Sequence, residues 1–460
     1  MSGAVPAAGH GRMSVDLRLA WLLTRGSDRR EWWRAGLTAV GAVFATGVGL
    51  AIAAIAPLRG QYHVPLASGL LNQPGTRAGV VMTLALLFLP ILGFLGQCAR
   101  IGAVHRDRRL AALRLAGAAP GQVRRIAALE SGLACLAGSV LATVGCVPVL
   151  LSQWQRPPVL AWAGIALVAV AVPVLGASVS VLSLRRVVAS PLGRVRRVRP
   201  TRGPGWVFGL VTGLLAGLAV LIAATPYLTD RLGFAFVPLA VCVLALLTGA
   251  AALWLAGWSS RRLGGVLAAR AQSPALLIAA ERLRDDPWAA SRTHAAVLLV
   301  TVVGSGFVGV RAVLIDTLRE IRREDQLARD MAYYTTGLDL TGAAILVAFA
   351  LVLAALAVGT AESLATRRRG LAAQTAAGVP GSVLRRALLL ETALPLAPAV
   401  VLAGAGGVAI TAWYAALTSQ QMPYVVLLVP VVVYGACLLA AATSLPLLGR
   451  SVRPAELRYA

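Results

Sequence analysis

The sequence predicts an all-α polytopic membrane protein of about ten transmembrane helices, built as two pseudo-symmetric four-helix halves joined by a two-helix linker. Three observations predict it. Hydrophobic residues make up 58% of the chain and charged residues only 13%, and about ten apolar runs of roughly 20 residues each carry more apolar surface than a water-soluble core can bury. A 25-residue stretch occurs twice, 261 positions apart without a gap, as RDRRLAALRLAGAAPGQVRRIAALE at Arg106–Glu130 and RRRGLAAQTAAGVPGSVLRRALLLE at Arg367–Glu391. Arginine is concentrated in alternate inter-span segments, so the charge follows the topology.

The spans fall near 35–57, 78–97, 126–151, 159–182, 205–225, 234–258, 295–315, 337–360, 387–412 and 424–447. Pro and Gly inside them are compatible with helix, because neighbouring spans satisfy the freed backbone groups. The first four spans form one half (35–199) after an N-terminal segment 1–34; the next two form a linker, 200–260. A connector (261–294) leads into the second half and its tail, 295–460. The first span follows charged and aromatic residues and precedes no small-residue cleavage motif, so it reads as a retained anchor.

The net charge of +25 and pI near 11.5 raise the question of nucleic acid, and the distribution of charge answers it. With a cytoplasmic amino terminus, the inside segments 1–34, 98–125, 183–204, 259–294, 361–386 and 448–460 hold 34 of the 43 basic residues. This is the positive-inside pattern, which puts both termini in the cytoplasm. Anionic lipid of the inner leaflet accounts for the bias, so the partners it implies are membrane lipids and no nucleic acid.

Every one of those basic residues is Arg. A phosphate-binding P-loop needs a lysine, so the chain has no ATP-hydrolysing site of that kind and reads as a non-catalytic polypeptide. Cys98, Cys135, Cys146, Cys242 and Cys437 lie in or beside apolar spans without a CxxC pair and read as lone buried thiols. His10, His63, His105 and His294 show no ligand spacing. No catalytic, cofactor or metal residue is predicted.

Each half opens with a polar, Arg- and Trp-bearing run, at Asp16–Arg34 and Glu281–Arg292, and closes with a basic tail containing Pro, at Arg185–Arg194 and Gly449–Arg458. Trp32, Trp33 and Trp288 suit the membrane interface, and a short cytoplasmic helix lying along the membrane before each half is expected. Outside, the loops at about 58–77, 152–158, 226–233, 316–336 and 413–423 are all short. In the Asp316–Met331 loop, Leu318, Ile321, Ala328 and Met331 have near-helical spacing. The loop either prolongs the seventh span as a stalk or is a solvated linker.

In the repeated segment a basic cluster stands nine residues before a glycine, an Arg pair follows it, and a Glu closes the unit thirteen residues after it. Internal similarity of this kind means duplication. Leu110, Leu113 and Leu115 are spaced for a short helix with Arg on its other face, and a glycine that adopts positive φ lets the chain stop and turn back to the bilayer. Such an element can dock into a soluble partner; topology anchoring at the headgroups also explains the Arg residues, but not the matched Gly and Glu. A carboxylate at the centre of a span costs about 2.5–3.5 kcal/mol, so Glu130 and Glu391, about a turn into theirs, are expected to pair with the Arg cluster or with helix-terminal amides. No second carboxylate at depth supports a proton relay, which makes proton-driven secondary transport the weaker reading.

In these residues the chain resembles the FtsX-like permease family, the membrane subunits of MacB-type and lipoprotein-releasing ABC transporters. The family pattern is a basic triplet, an apolar run with Arg, a Gly, a basic patch and a Glu entering the third span of a four-span module. It is matched by Arg106, Arg108, Arg114, Gly117, Arg124, Arg125 and Glu130, with Arg109 where the family often places an acidic residue, and again by Arg367, Arg368, Arg369, Gly378, Arg385, Arg386 and Glu391, with Gly370 at that place. Pro454–Arg458 also looks like the family's carboxyl end. The resemblance implies that these residues couple the chain to a separately encoded ABC ATPase, in two copies per chain, with ATP and magnesium bound on the ATPase. It further implies export or extraction of a hydrophobic, lipid-like or peptide substrate. The alternative it implies is a non-transporting subunit that transmits force to an extracytoplasmic hydrolase or a sensor partner.

Overall fold

The computed structural model describes residues 29–61, 69–72, 74–100, 112–153, 158–183, 213, 237–324 and 330–448. Among them the chain is helical and contains no strand. The helices are α1 (Arg29–Ile55), α2 (Pro74–Arg100), α3 (Pro120–Gln153), α4 (Val159–Ser183), α5 (Val237–Arg270), α6 (Pro274–Asp285), α7 (Ala289–Arg323), α8 (Met331–Thr366), α9 (Arg368–Ala376), α10 (Gly381–Leu417) and α11 (Leu428–Ala442), with short 3₁₀ turns at Tyr424–Leu427 and Leu445–Leu447. Eight of the described helices are long and apolar enough to cross a membrane, and the chain is a multi-pass membrane protein. In addition, α2 stands where the span at 78–97 is expected, while the expected span at 205–225 lies outside the described residues except for residue 213.

The helices outrun the apolar windows that announce them. α7, α8 and α10 have 35, 36 and 37 residues; at 1.5 Å per residue each is over 50 Å long, beyond a hydrocarbon core of about 30 Å. α7 continues unbroken to Arg323, so the first part of the Asp316–Met331 loop is a helical stalk, with Leu318 buried along it.

The chain divides into two compact units. The first comprises residues 1–58 and 94–197, where α1, α3 and α4 pack against one another. Hydrophobic driving force is weak between helices in lipid, so small side chains and interhelical hydrogen bonds take over. Gly138 of α3 lies against the backbone of Ala39 and the methyl of Ala42 in α1, and the Ser139 hydroxyl donates to the Ala169 carbonyl of α4 at 2.9 Å. The outer face of α4 presents Leu160, Leu167, Val170 and Val174, all exposed, as a lipid-facing surface requires.

The second unit comprises residues 59–93 and 198–460. Its axis is the α7–α10 pair, with α5, α8 and α11 around it. Ala252, Ala256, Val297, Leu298, Leu356, Leu396, Ala399, Ala403 and Cys437 form one buried cluster. α5, from the segment expected as a linker, is part of this bundle. α7 and α10 approach so closely that a Cβ on Gly309 collides with Thr411 and one on Gly407 with Ser305. The buried hydroxyls there are satisfied within their own helices: Thr301, Ser305 and Thr411 each donate to the carbonyl four residues back, at 2.7–2.9 Å.

The helix expected at Glu281–Arg292 lies earlier, at Pro274–Asp285. Ser273 caps it, accepting from the Leu276 amide, and Pro274 fills the first position, where a missing N–H costs nothing. Pro287 ends it, because the residue before a proline is driven out of the helical region; Asp286 has φ −137° and ψ 80°. Of the first-half run Asp16–Arg34, residues 16–28 lie outside the described residues and Arg29–Arg34 open α1; both basic tails also lie outside the described residues.

Candidate functional site

Both copies of the repeated segment fold into the same turn. After a helical turn at 112–115 in the first copy, and after α9 in the second, the chain passes through Gly117 at φ 95° and Gly378 at φ 91°. These are left-handed conformations that a β-carbon disfavours. The Gly117 amide donates to the Arg114 carbonyl at 3.1 Å and the Ala118 amide to that of Leu113 at 3.0 Å; the Gly378 amide donates to Thr375 at 2.9 Å and the Val379 amide to Gln374 at 3.0 Å. Shifted by 261 positions the two pairs of bonds superpose, and each is a Schellman cap, which satisfies carbonyls left over at the helix end. Pro120 and Pro380 follow and prevent the helix from resuming in line.

The turn returns the chain to the bundle through matched apolar positions. In the first unit Val123 and Ala127 of α3 are buried against Leu113 and Ala118. In the second, Leu384 of α10 joins Leu364, Leu371 and Leu448, with Val379, Leu388 and Ile278 packed alongside. Val123, Ala127 and Ala118 correspond to Leu384, Leu388 and Val379. α9 is thereby fixed to α8, α10 and the C-terminal turn by leucines.

The charged residues separate into two groups. Arg124 and Arg125 in the first unit, and Arg368, Arg369, Arg385 and Arg386 in the second, are exposed together with Gly117 and Gly378. They form basic surfaces around each turn. Arg114 is half-buried and its Nη1 donates to the Ala118 carbonyl at 3.0 Å, bracing the cap. Arg106, Arg108 and Arg109 lie outside the described residues.

Arg367 departs from the triplet to which its sequence assigns it. It sits at the α8–α9 junction with its Nη1 donating to Glu391 Oε1 at 2.6 Å. From the opposite side Arg282 of α6 donates through Nη1 to Glu391 Oε2 at 3.1 Å, and its Nη2 reaches Gln374 Oε1 of α9 at 3.5 Å. Glu391 is 21% exposed, and each carboxylate oxygen takes a charge-assisted bond. The expected pairing of this carboxylate with the Arg cluster is therefore present, plus a second arginine that local spacing does not announce. Glu130 is buried, 9% exposed. Arg282, Arg367, Glu391 and Gln374 line a cavity of about 870 Å³ together with Ser363 and His294.

The arrangement offers hydrogen-bonded turns bearing basic side chains, each continuous with a long span, and in the second unit a carboxylate that joins three segments. Comparison of the chain with protein-family models, with curated proteins and with solved structures finds no match.

Proposed function

We propose that the chain is the membrane subunit of an FtsX-like ABC transporter, converting motion of a separately encoded ATPase into motion of its spans. The observation that carries this reading is the pair of identical glycine caps, each surrounded by exposed arginines and each leading directly into a membrane-crossing helix. Topology anchoring requires positive charge near lipid headgroups; it requires neither a hydrogen-bonded turn duplicated bond for bond nor its glycine. A rigid, capped turn is what a docking element needs in order to transmit displacement instead of yielding to it.

On this reading both termini and both turns are cytoplasmic, in the cell membrane, and one chain engages two ATPase copies without a second membrane subunit. ATP and magnesium bind on the ATPase. The short outer loops leave little room for a folded domain, which favours a hydrophobic, lipid-like or peptide substrate reached from the bilayer.

The test combines coupling with topology. Gly378→Val, and separately Arg368→Gln with Arg369→Gln, are expected to leave insertion and abundance near wild type while reducing ATP hydrolysis stimulated by the chain. Full stimulation by well-inserted variants of both copies refutes the reading. Single cysteines at Tyr62, Gln155 and Gln420 in a cysteine-free background should react with an impermeant thiol reagent in intact cells. Labelling at Gly121 with protection of those three inverts the topology and removes the coupling argument with it.

A further inference from the structure

We propose that Glu391 is a clasp that makes α6, α9 and α10 move together, with Arg282 as the positioning residue that carries displacement of the turn into α6 and from there into α5. The inference rests on the coupling reading for its direction of motion, and on the geometry alone for the clasp. Three segments far apart in sequence meet at one carboxylate: Arg282 is 109 residues from Glu391 and 92 from Gln374, and Arg367 is 24 from Glu391.

The alternatives to a clasp fail on burial and charge. A surface ion pair contributes little and is freely exchanged for water, but the Arg282 and Glu391 side chains are only 19% and 21% exposed. Arg367 is more open, at 40%, so the site is partly wet; loss of the carboxylate still leaves two guanidinium groups side by side without the anion between them. Arg282 also holds Gln374, one of the two carbonyl-bearing residues of the Schellman cap, so the same side chain touches both the turn and the span that follows it.

α6 is well placed to receive the motion. Its buried face, Ala275, Ala279, Ala280 and Leu283, packs against α5 and α10. At the α5 contact a Cβ on Gly264 would lie 3.0 Å from the Ala280 carbonyl and the Arg284 amide, so the two backbones are in close contact there. Displacement of α9 thus reaches α5 through Arg282 and α6, in addition to reaching α10 directly through the turn. Coupling of this sort is established only by an element whose arrangement responds to the residue in question.

The experiment uses the purified full-length chain in lipid nanodiscs, with no ATPase present. Spin labels at Glu281 on α6 and Ala373 on α9, both exposed, report the distance between these helices by pulsed electron resonance. The chain with only the labels should give one narrow distribution. Arg282→Gln and Glu391→Gln should each widen it about twofold, as local release of a packed element does, whereas Arg282→Lys, which keeps the charge on Glu391 but loses the second prong to Gln374, should widen it less. Thermal unfolding of each variant identifies any that is globally damaged, and in that case the variant that unfolds like the parent decides. Unchanged widths in Arg282→Gln and Glu391→Gln overturn the clasp, and so does widening in Arg282→Lys equal to that in Arg282→Gln. Because the ATPase is absent, either result leaves the coupling reading standing, and failure of the coupling reading leaves the distances as they are.

Discussion

The two copies of the repeated segment share a turn and differ in what holds it. Gly117 and Gly378 have nearly the same φ and the same pair of backbone bonds, because local sequence is sufficient for a Schellman cap: a helix end, a residue without a β-carbon, and a proline soon after. The surroundings are set by non-local partners. The second copy is fixed by Leu364, Leu371, Leu384 and Leu448 and tied through Glu391 to Arg282; the described part of the first is fixed by Val123 and Ala127 with Leu113 and Ala118. The difference teaches that duplication preserves what a segment specifies by itself and releases what its neighbours supply. Two turns of one shape can therefore differ in stiffness, and the two halves are expected to respond unequally to equivalent changes.

The largest expected effect is on packing behind the second turn. Leu384 is 1% exposed in its cluster, and Leu384→Ala should cost about 2–4 kcal/mol in unfolding measurements, from lost transfer energy and the cavity left behind. Val123→Ala, the equivalent change, removes fewer atoms and should cost about half as much; equal losses would erase the contrast between the copies.

Next comes the clasp. Glu391→Gln should lower stability by about 1–3 kcal/mol, less than for a fully buried pair because the site is partly wet. High salt should reduce the difference only slightly, since ions screen such a pair poorly. A loss that vanishes in high salt would make Glu391 a surface ion pair and nothing more.

Gly117→Val and Gly378→Val each place a β-branched residue at positive φ, at about 1–3 kcal/mol of local strain. An added Cβ meets nothing within 4 Å at either position, so the penalty is conformational and not steric crowding. It should be felt more in coupling than in unfolding, and more at Gly378, whose turn the leucine cluster prevents from relaxing. Gly→Ala at the same positions should give a milder version of the same order.

The smallest stability effect belongs to the exposed arginines. Arg368→Gln and Arg369→Gln together should change unfolding by less than about 0.5 kcal/mol yet reduce stimulated ATP hydrolysis, a separation that topology anchoring does not produce.

The apolar runs made the helices legible, since a membrane-crossing helix must be apolar over its lipid-facing length. Their true ends were not, because the windows report only the part in lipid: the run at 387–412 belongs to a helix that spans Gly381–Leu417. The glycine turn was legible for the same local reasons that build it. Arg282 was not, as its partners lie 92 and 109 residues away and no spacing within α6 encodes them. What its segment did carry was a start signal, Ser273-Pro274, and buried positions at Ala275, Ala279 and Leu283, enough to place the helix one turn or two earlier than the polar run suggested. Arg367 read as one of three equivalent arginines, and only the bend at the α8–α9 junction turns it inward while Arg368 and Arg369 face out.

The central claim is that both turns are docking sites for an ATPase. Native mass spectrometry of the chain, affinity-purified from its own membrane, tests it most directly. The account predicts one copy of the chain bound to two copies of an ABC ATPase, falling to one ATPase when Arg368, Arg369, Arg385 and Arg386 are replaced by Gln together. A chain that carries no ATPase, or a stable assembly of two chains with two ATPases, contradicts it.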